Sequence, residues 1–170
     1  MDSPVITLRP ALPADAAALV AMIRELAVFE KLEHLMVATP ESIAPHLFGP
    51  RPSAEVVVAE IATEGGPQAA GFALFFHNFS TFLGRPGLYL EDLYVRPQHR
   101  GRGIGRALLR HLGALAVERG CGRFEWSVLD WNSGAIAFYE RMGATLLPDW
   151  RICRVTGAAL AAFGHGTAGA

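Results

Sequence analysis

The chain has 170 residues, 51% of them apolar, and a net charge of −1. It is therefore read as one folded domain, residues 1–163, with a core of its own and a loose tail over 164–170. A charge so close to zero argues against a general binder of nucleic acid or membrane surfaces, and no apolar run is long enough to span a bilayer. Cys121 and Cys153 make no disulfide framework, and the N-terminus lacks the pattern of a signal peptide. A reducing cytoplasm is the expected compartment.

Val5–Arg9 predicts a short strand closed by Pro10. Leu19, Met22, Ile23 and Leu26 recur at helical spacing, so a helix follows, with Asp15 as its expected cap and its end near Phe29 and Glu30. Residues 31–39 read as a loop. Thr39-Pro40-Glu41-Ser42 starts a second, short helix, with threonine at the cap and proline at the first helical position. Ala54–Ala62 and Ala69–Asn78 predict two strands paired as a hairpin. Phe72, Phe75, Phe76 and Phe79 belong to the core or to a cleft wall, and Thr81–Gly87 reads as a loop. Leu88–Val95 is a buried strand, apolar on both faces apart from Glu91 and Asp92, and Arg96-Pro97 ends it. Ile104, Leu108, Leu112 and Leu115 mark a long helix stopped by Arg119-Gly120. Arg123–Leu129 predicts a strand, Ala135–Met142 a helix, Trp150–Thr156 a last strand and Ala158–Phe163 a short helix. The order β-α-α-β-β-β-α-β-α-β makes an α/β chain, an α+β mixed sheet with helices on both faces.

Between the buried strand and the long helix lies Arg100-Gly101-Arg102-Gly103-Ile104-Gly105. Strand, glycine turn and helix start together make an anion cradle: glycine lets the backbone come close, and the free N–H groups of the first turn point at bound oxygens. No lysine follows as a nucleotide-hydrolase loop requires. The dinucleotide fingerprint fails too, because its last position falls on Arg106 or Leu108. What remains is [RQ]-x-x-G-x-G on Arg100, Gly103 and Gly105. Arg102, Arg106 and Arg110 share a helical face, which is either a solvated basic stripe or a set of phosphate forks. Glu91 and Asp92 are strand neighbours and point to opposite faces unless a bulge intervenes. A carboxylate there is costly unless paired or functional, and Glu91 is favoured as the substrate-facing one. The six histidines have no metal-ligand spacing, so no metal is expected.

LYLEDLYV, RGRGIG and WNSGAIAFYERMGA together resemble the GNAT superfamily of N-acetyltransferases. The likeness runs over most of residues 6–156 and is nearest to the diamine acetyltransferase branch, the spermidine/spermine type. It implies a mostly antiparallel central sheet with a splayed strand at the cofactor site. Leu93, Tyr94 and Val95 would offer backbone groups to the pantetheine arm of acetyl-CoA. Arg100, Gly101, Arg102, Gly103, Ile104, Gly105 and Arg106 would hold its diphosphate, and Asn132, Ser133, Gly134 and Ala135 would touch it as well. Tyr139 would protonate the departing thiolate. Phe29, Glu30, Glu91, Asp92, Glu125, Trp126, Ser127 and Asp149 would line the amine site, with Glu91 also catalytic. Cys121 and Cys153 sit outside these motifs, so direct transfer without an acyl-enzyme is expected. The resemblance further implies a homodimer with the C-terminal strand region near the contact. From the residues alone, capping is enough to explain Asn132, and a core place beside Phe138 is the alternative for Tyr139. The acceptor stays open between a polyamine or diamine and an amino acid such as thia-lysine, a drug amine or a protein N-terminus. A coenzyme-binding module without turnover is the alternative from another class.

Overall fold

The computed structural model describes residues 5–165. The chain divides into two compact units, Met1–Leu129 and Asp130–Ala170.

In the first unit β1 (Ile6–Pro10), β2 (Glu55–Thr63), β3 (Gly66–Ser80), β4 (Arg85–Val95) and β5 (Arg123–Trp126) form one sheet in sequence order. The first four strands run antiparallel and β5 joins β4 in parallel, so the sheet is mixed and mostly antiparallel. Helices α1 (Ala16–Phe29) and α2 (Pro40–Phe48) cover one face. Leu19 and Met22 of α1 share a buried cluster with Val56, Val58, Phe72 and Tyr94, and Ile43 and Leu47 of α2 pack around it. Helix α3 (Ile104–Glu118) packs against β2 to β5 with Ile104, Leu108 and Leu112 buried. Each such side chain contributes about 1.5–3 kcal/mol by leaving water.

The local signals behave unevenly. Thr39 accepts a hydrogen bond from the Ser42 N–H at 3.2 Å while the Ser42 hydroxyl accepts from the Thr39 N–H at 2.9 Å, a reciprocal cap. Asp15 stands before α1 but does not cap it. Its carboxylate accepts from the two terminal guanidinium nitrogens of Arg9, at 2.7 and 2.9 Å, and from the Leu12 N–H. The charged partner wins, because a bidentate ion pair is stronger than a neutral amide bond. The turn after β3 is shorter than expected, since β4 already starts at Arg85, and β5 ends at Trp126 rather than Leu129.

In the second unit α4 (Ser133–Arg141) is capped by Asn132, whose side-chain oxygen accepts from the Ala135 N–H at 3.2 Å. Gly143 closes the turn after it in the left-handed region, φ 95°. Helix α5 spans Gly157–Gly164. The strand expected over Trp150–Thr156 is absent. These residues are exposed and make no ladder. An alternating sequence cannot hold a strand without a partner edge, since the backbone groups then stay with water. Of the expected tail, 166–170 lies outside the described residues. Among the described residues no helix is long and apolar enough to cross a membrane.

Candidate active site

The site is built on β4, which has two different halves. From Gly87 to Leu90 it is bonded on both sides, to β3 and to β5. Beyond Leu90, β5 has no further residues in the ladder, and Leu93, Tyr94 and Val95 pair only with Ala73, Phe72 and Gly71 of β3. One backbone edge of β4 is thus open over these residues, as a splayed strand requires. Gly71 fixes the closeness of the other edge: a Cβ there would meet the Tyr94 carbonyl oxygen at 2.5 Å. The Tyr94 side chain faces α1 and donates to Glu25 at 3.1 Å.

A β-bulge sits at the acids. Leu74 pairs with Asp92 and Phe75 with Leu90, which leaves Glu91 as the extra residue. The condition set by the sequence for both acids to share a cleft is therefore met. Asp92 lies on the same face as Tyr94, beside Leu74. Its carboxyl is pushed up from 3.8 to about 6, first by burial and then by the charges of Glu91 and Glu30. Burial also raises the Glu30 carboxyl. Glu30, which caps the C-terminus of α1, thus joins the two strand acids in one field.

The loop after β4 begins with a 3-10 turn, Pro97–His99. Gly101 and Gly103 then take φ of 75° and 86°, where side chains are strained. Gly103 precedes α3, no side chain caps that helix, and the Ala107 N–H is the first to bond back, to the Gly103 carbonyl. The N–H groups of Ile104, Gly105 and Arg106 therefore lack helical acceptors, as an anion site needs. Arg102 and Arg106 are exposed beside them. Arg100 is turned the other way: its Nε donates to the Val95 carbonyl at 2.9 Å, and its guanidinium lies over the rings of Phe29 (5.2 Å) and Tyr94 (5.7 Å). His99 is buried at 9% exposure with neither ring nitrogen hydrogen-bonded. Burial first, then Arg102 and Arg96, lower its pKa.

Glu125 and Trp126 belong to β5 of the same sheet, and Ser127 follows directly. Glu125 accepts from the Asn78 amide at 2.7 Å and pairs with Arg123 at 3.2 Å, and Ser127 shares a hydrogen bond of 2.9 Å with the Tyr89 hydroxyl. The Trp126 ring lies against that of Phe124, centroids 4.9 Å apart and tilted by 55°. Asn78, Tyr89 and Arg123 escaped the sequence reading, because they meet only through the registers of three strands. In the second unit, Asn132 to Ala135 open α4, Tyr139 lies on it beside Phe138 at 5.5 Å, and Asp149 is exposed. Among the described residues no group of three or more His, Cys, Asp or Glu side chains is arranged to hold a metal.

An open strand edge, a turn that exposes amides, and carboxylates on the adjoining face suit a thioester coenzyme and an amine. Comparison with known proteins agrees. A profile of the acetyltransferase (GNAT) family matches residues 20–144. The chain is 37% identical to the L-ornithine N5-acetyltransferase NATA1 of Arabidopsis thaliana, over 92% of this chain and 86% of that protein. It is 38% identical to the thialysine N-epsilon-acetyltransferase of Mus musculus, over 90% and 94%. Among solved structures, an integron cassette protein of V. cholerae has the same fold, with a TM-score of 0.75 and 24% identity over 96% of this chain and 99% of that one.

Proposed function

Because this chain belongs to the acetyltransferase (GNAT) family, in its diamine acetyltransferase branch, we propose that residues 1–163 work as one domain that moves the acetyl group of acetyl-CoA to a primary amine of a small di- or polyamine-like acceptor. The observation that carries this reading is the open edge of Leu93–Val95, bounded by the acids at one end and the glycine turn at the other. The amides of the pantetheine arm suit that edge as an added strand would. The diphosphate suits the N–H groups of residues 101–106, with Arg102 and Arg106 as charge partners.

The chemistry then needs three proton movements: two off the nitrogen and one onto the thiolate. Glu30, Glu91 and Asp92 attract the ammonium, and one of the strand acids accepts its proton. With a carboxyl pushed up to about 6, first by burial, Asp92 is matched to act as a base near neutral pH. The amine nitrogen attacks the thioester carbonyl, whose oxygen draws on a backbone N–H near Leu93. The C–S bond breaks as the C–N bond forms, the phenol of Tyr139 gives its proton to the leaving thiolate, and the second proton shed by the attacking nitrogen restores that phenol. Asn132 to Ala135 serve the coenzyme, while Phe29, Trp126 and Asp149 serve the acceptor. Transfer is direct. Cys121 and Cys153 are both free thiols, which fits a reducing cytoplasm, and neither carries the acetyl group. Ping-pong kinetics, or acetyl label trapped on a cysteine, would overturn the direct route.

A second acceptor class, an amino acid with a terminal amine, is favoured by the two relatives named for ornithine and thialysine. A thiol-release assay at saturating acetyl-CoA with spermidine, putrescine, lysine and thia-lysine tests the whole reading; silence with every amine overturns it. We also propose a homodimer. Leu146, Leu147, Trp150, Ile152 and Val155 are 44–79% exposed, a run of apolar side chains in one segment that a second copy would cover. Sedimentation at micromolar concentration tests it, and a single monomeric species would refute it.

A further inference from the structure

The face of the sheet that carries Asp92 continues, past the bulge, into a second polar group. Register places Phe76, Tyr89 and Glu125 side by side across β3, β4 and β5, and Asn78, Gly87 and Arg123 side by side in the next row. The bulge is what brings Tyr89 and Asp92, an odd number of residues apart, onto one face. Arg123 and Glu125 are about one-third exposed, so a ligand can reach both.

This cluster is expensive as mere scaffolding. An ion pair this exposed adds little stability. Yet Gly87 is kept without a side chain because a Cβ there would run into the Asn78 side-chain oxygen and the arm of Arg123. The Asn78 Oδ1 and the Arg123 Nε are buried and lack hydrogen-bond partners among the described residues, a state that folding disfavours. An arrangement that holds a cation and an anion 3.2 Å apart on a rigid sheet, beside two hydroxyls, matches a molecule bearing both charges on one carbon.

We propose that Arg123 and Glu125 recognise the α-carboxylate and α-ammonium of an amino acid whose terminal amine is acetylated, with Tyr89 and Ser127 as neutral hydrogen-bonding partners. The proposal rests on the acetyltransferase reading and names its acceptor class. The spacing suits it: from the row of Tyr89 and Glu125 to Asp92 is three strand residues, about 10 Å, less what the bulge takes up, and Arg123, one row farther, reaches back to Glu125 at 3.2 Å. A five-atom chain from an α-carbon to a terminal nitrogen covers about 6 Å, and the side chains close the rest. A diamine offers Arg123 only a like charge.

The test uses matched acceptor pairs that differ by the carboxylate alone: ornithine against putrescine, and lysine against cadaverine. With wild-type enzyme and saturating acetyl-CoA, each amino acid is expected to exceed its diamine in kcat/KM by about 10- to 100-fold. In Arg123→Gln that ratio is expected to fall to about 1, through a higher KM for the amino acid and relief of the like charge that Arg123 sets against the diamine, while the KM for acetyl-CoA stays put. Arg123→Lys, which keeps the charge, restores part of the preference. Equal wild-type use of both members of a pair, or a proportional loss for both in Arg123→Gln at an unchanged melting temperature, overturns the proposal and leaves the acetyltransferase reading standing. Failure of every amine overturns both.

Discussion

The two halves of β4 are equipped by opposite means. Toward Val95 the useful atoms are main-chain groups: an open edge, then N–H groups exposed by left-handed glycines. Toward Gly87 they are side chains from three strands, Asn78, Tyr89, Arg123 and Glu125, brought together by register. The first half can serve a ligand that does not change between reactions, since main-chain geometry is insensitive to substitution. The second can be rewritten one residue at a time, as a changeable acceptor demands.

The acids between the halves test this division most severely. Asp92→Asn is expected to lower kcat/KM about 100-fold or more for every amine. The same change should raise stability. A group with a raised pKa contributes fully below its unfolded value, 3.8, and loses that contribution as pH climbs through about 6. The substitution therefore gains up to about 3 kcal/mol at pH 8 and nothing at pH 3; chemical denaturation at the two pH values measures it. A variant no more stable at pH 8 would mean the acid is ionised without penalty.

On the main-chain half, Gly103→Val forces a branched side chain to φ 86°. The expected result is about 30-fold weaker acetyl-CoA binding by calorimetry, with the acceptor pair ratios unchanged. Gly71→Ala pushes on the Tyr94 carbonyl and is expected to raise the KM for acetyl-CoA about 5- to 10-fold, at a cost of about 1–3 kcal/mol in stability. An acceptor-only defect in either variant would break the comparison. On the side-chain half the smallest effect is expected from Tyr89→Phe, which removes one exposed hydroxyl bond to Ser127. The acceptor KM should rise about 3-fold, and that for acetyl-CoA should not move in steady-state assays.

This division also explains what could be read from the sequence. Gly101 and Gly103 announce themselves because few other residues tolerate their φ, and the stripe from Ile104 to Leu112 fixes the helix that follows. The bulge could be posed as a condition, since Glu91 and Asp92 break an apolar strand, but not located. Arg123 and Asn78 sit 45 positions apart with no spacing rule between them, so only the registers of β3, β4 and β5 reveal their meeting. Asp15 misled because its capping role lost to Arg9, a partner outside the helix. Trp150–Thr156 misled because alternation describes a strand's faces and says nothing of whether an edge is there to receive it.

The bulge at Glu91 has a genetic side. Leu90 and Asp92 already face consecutive residues of β3, so Glu91 is a passenger in the ladder. Deleting that one codon should leave every other residue of the strand in its present place, with the core on either side intact. A second carboxylate of this kind can enter or leave a lineage in a single step, and the strand need not be reinvented around it.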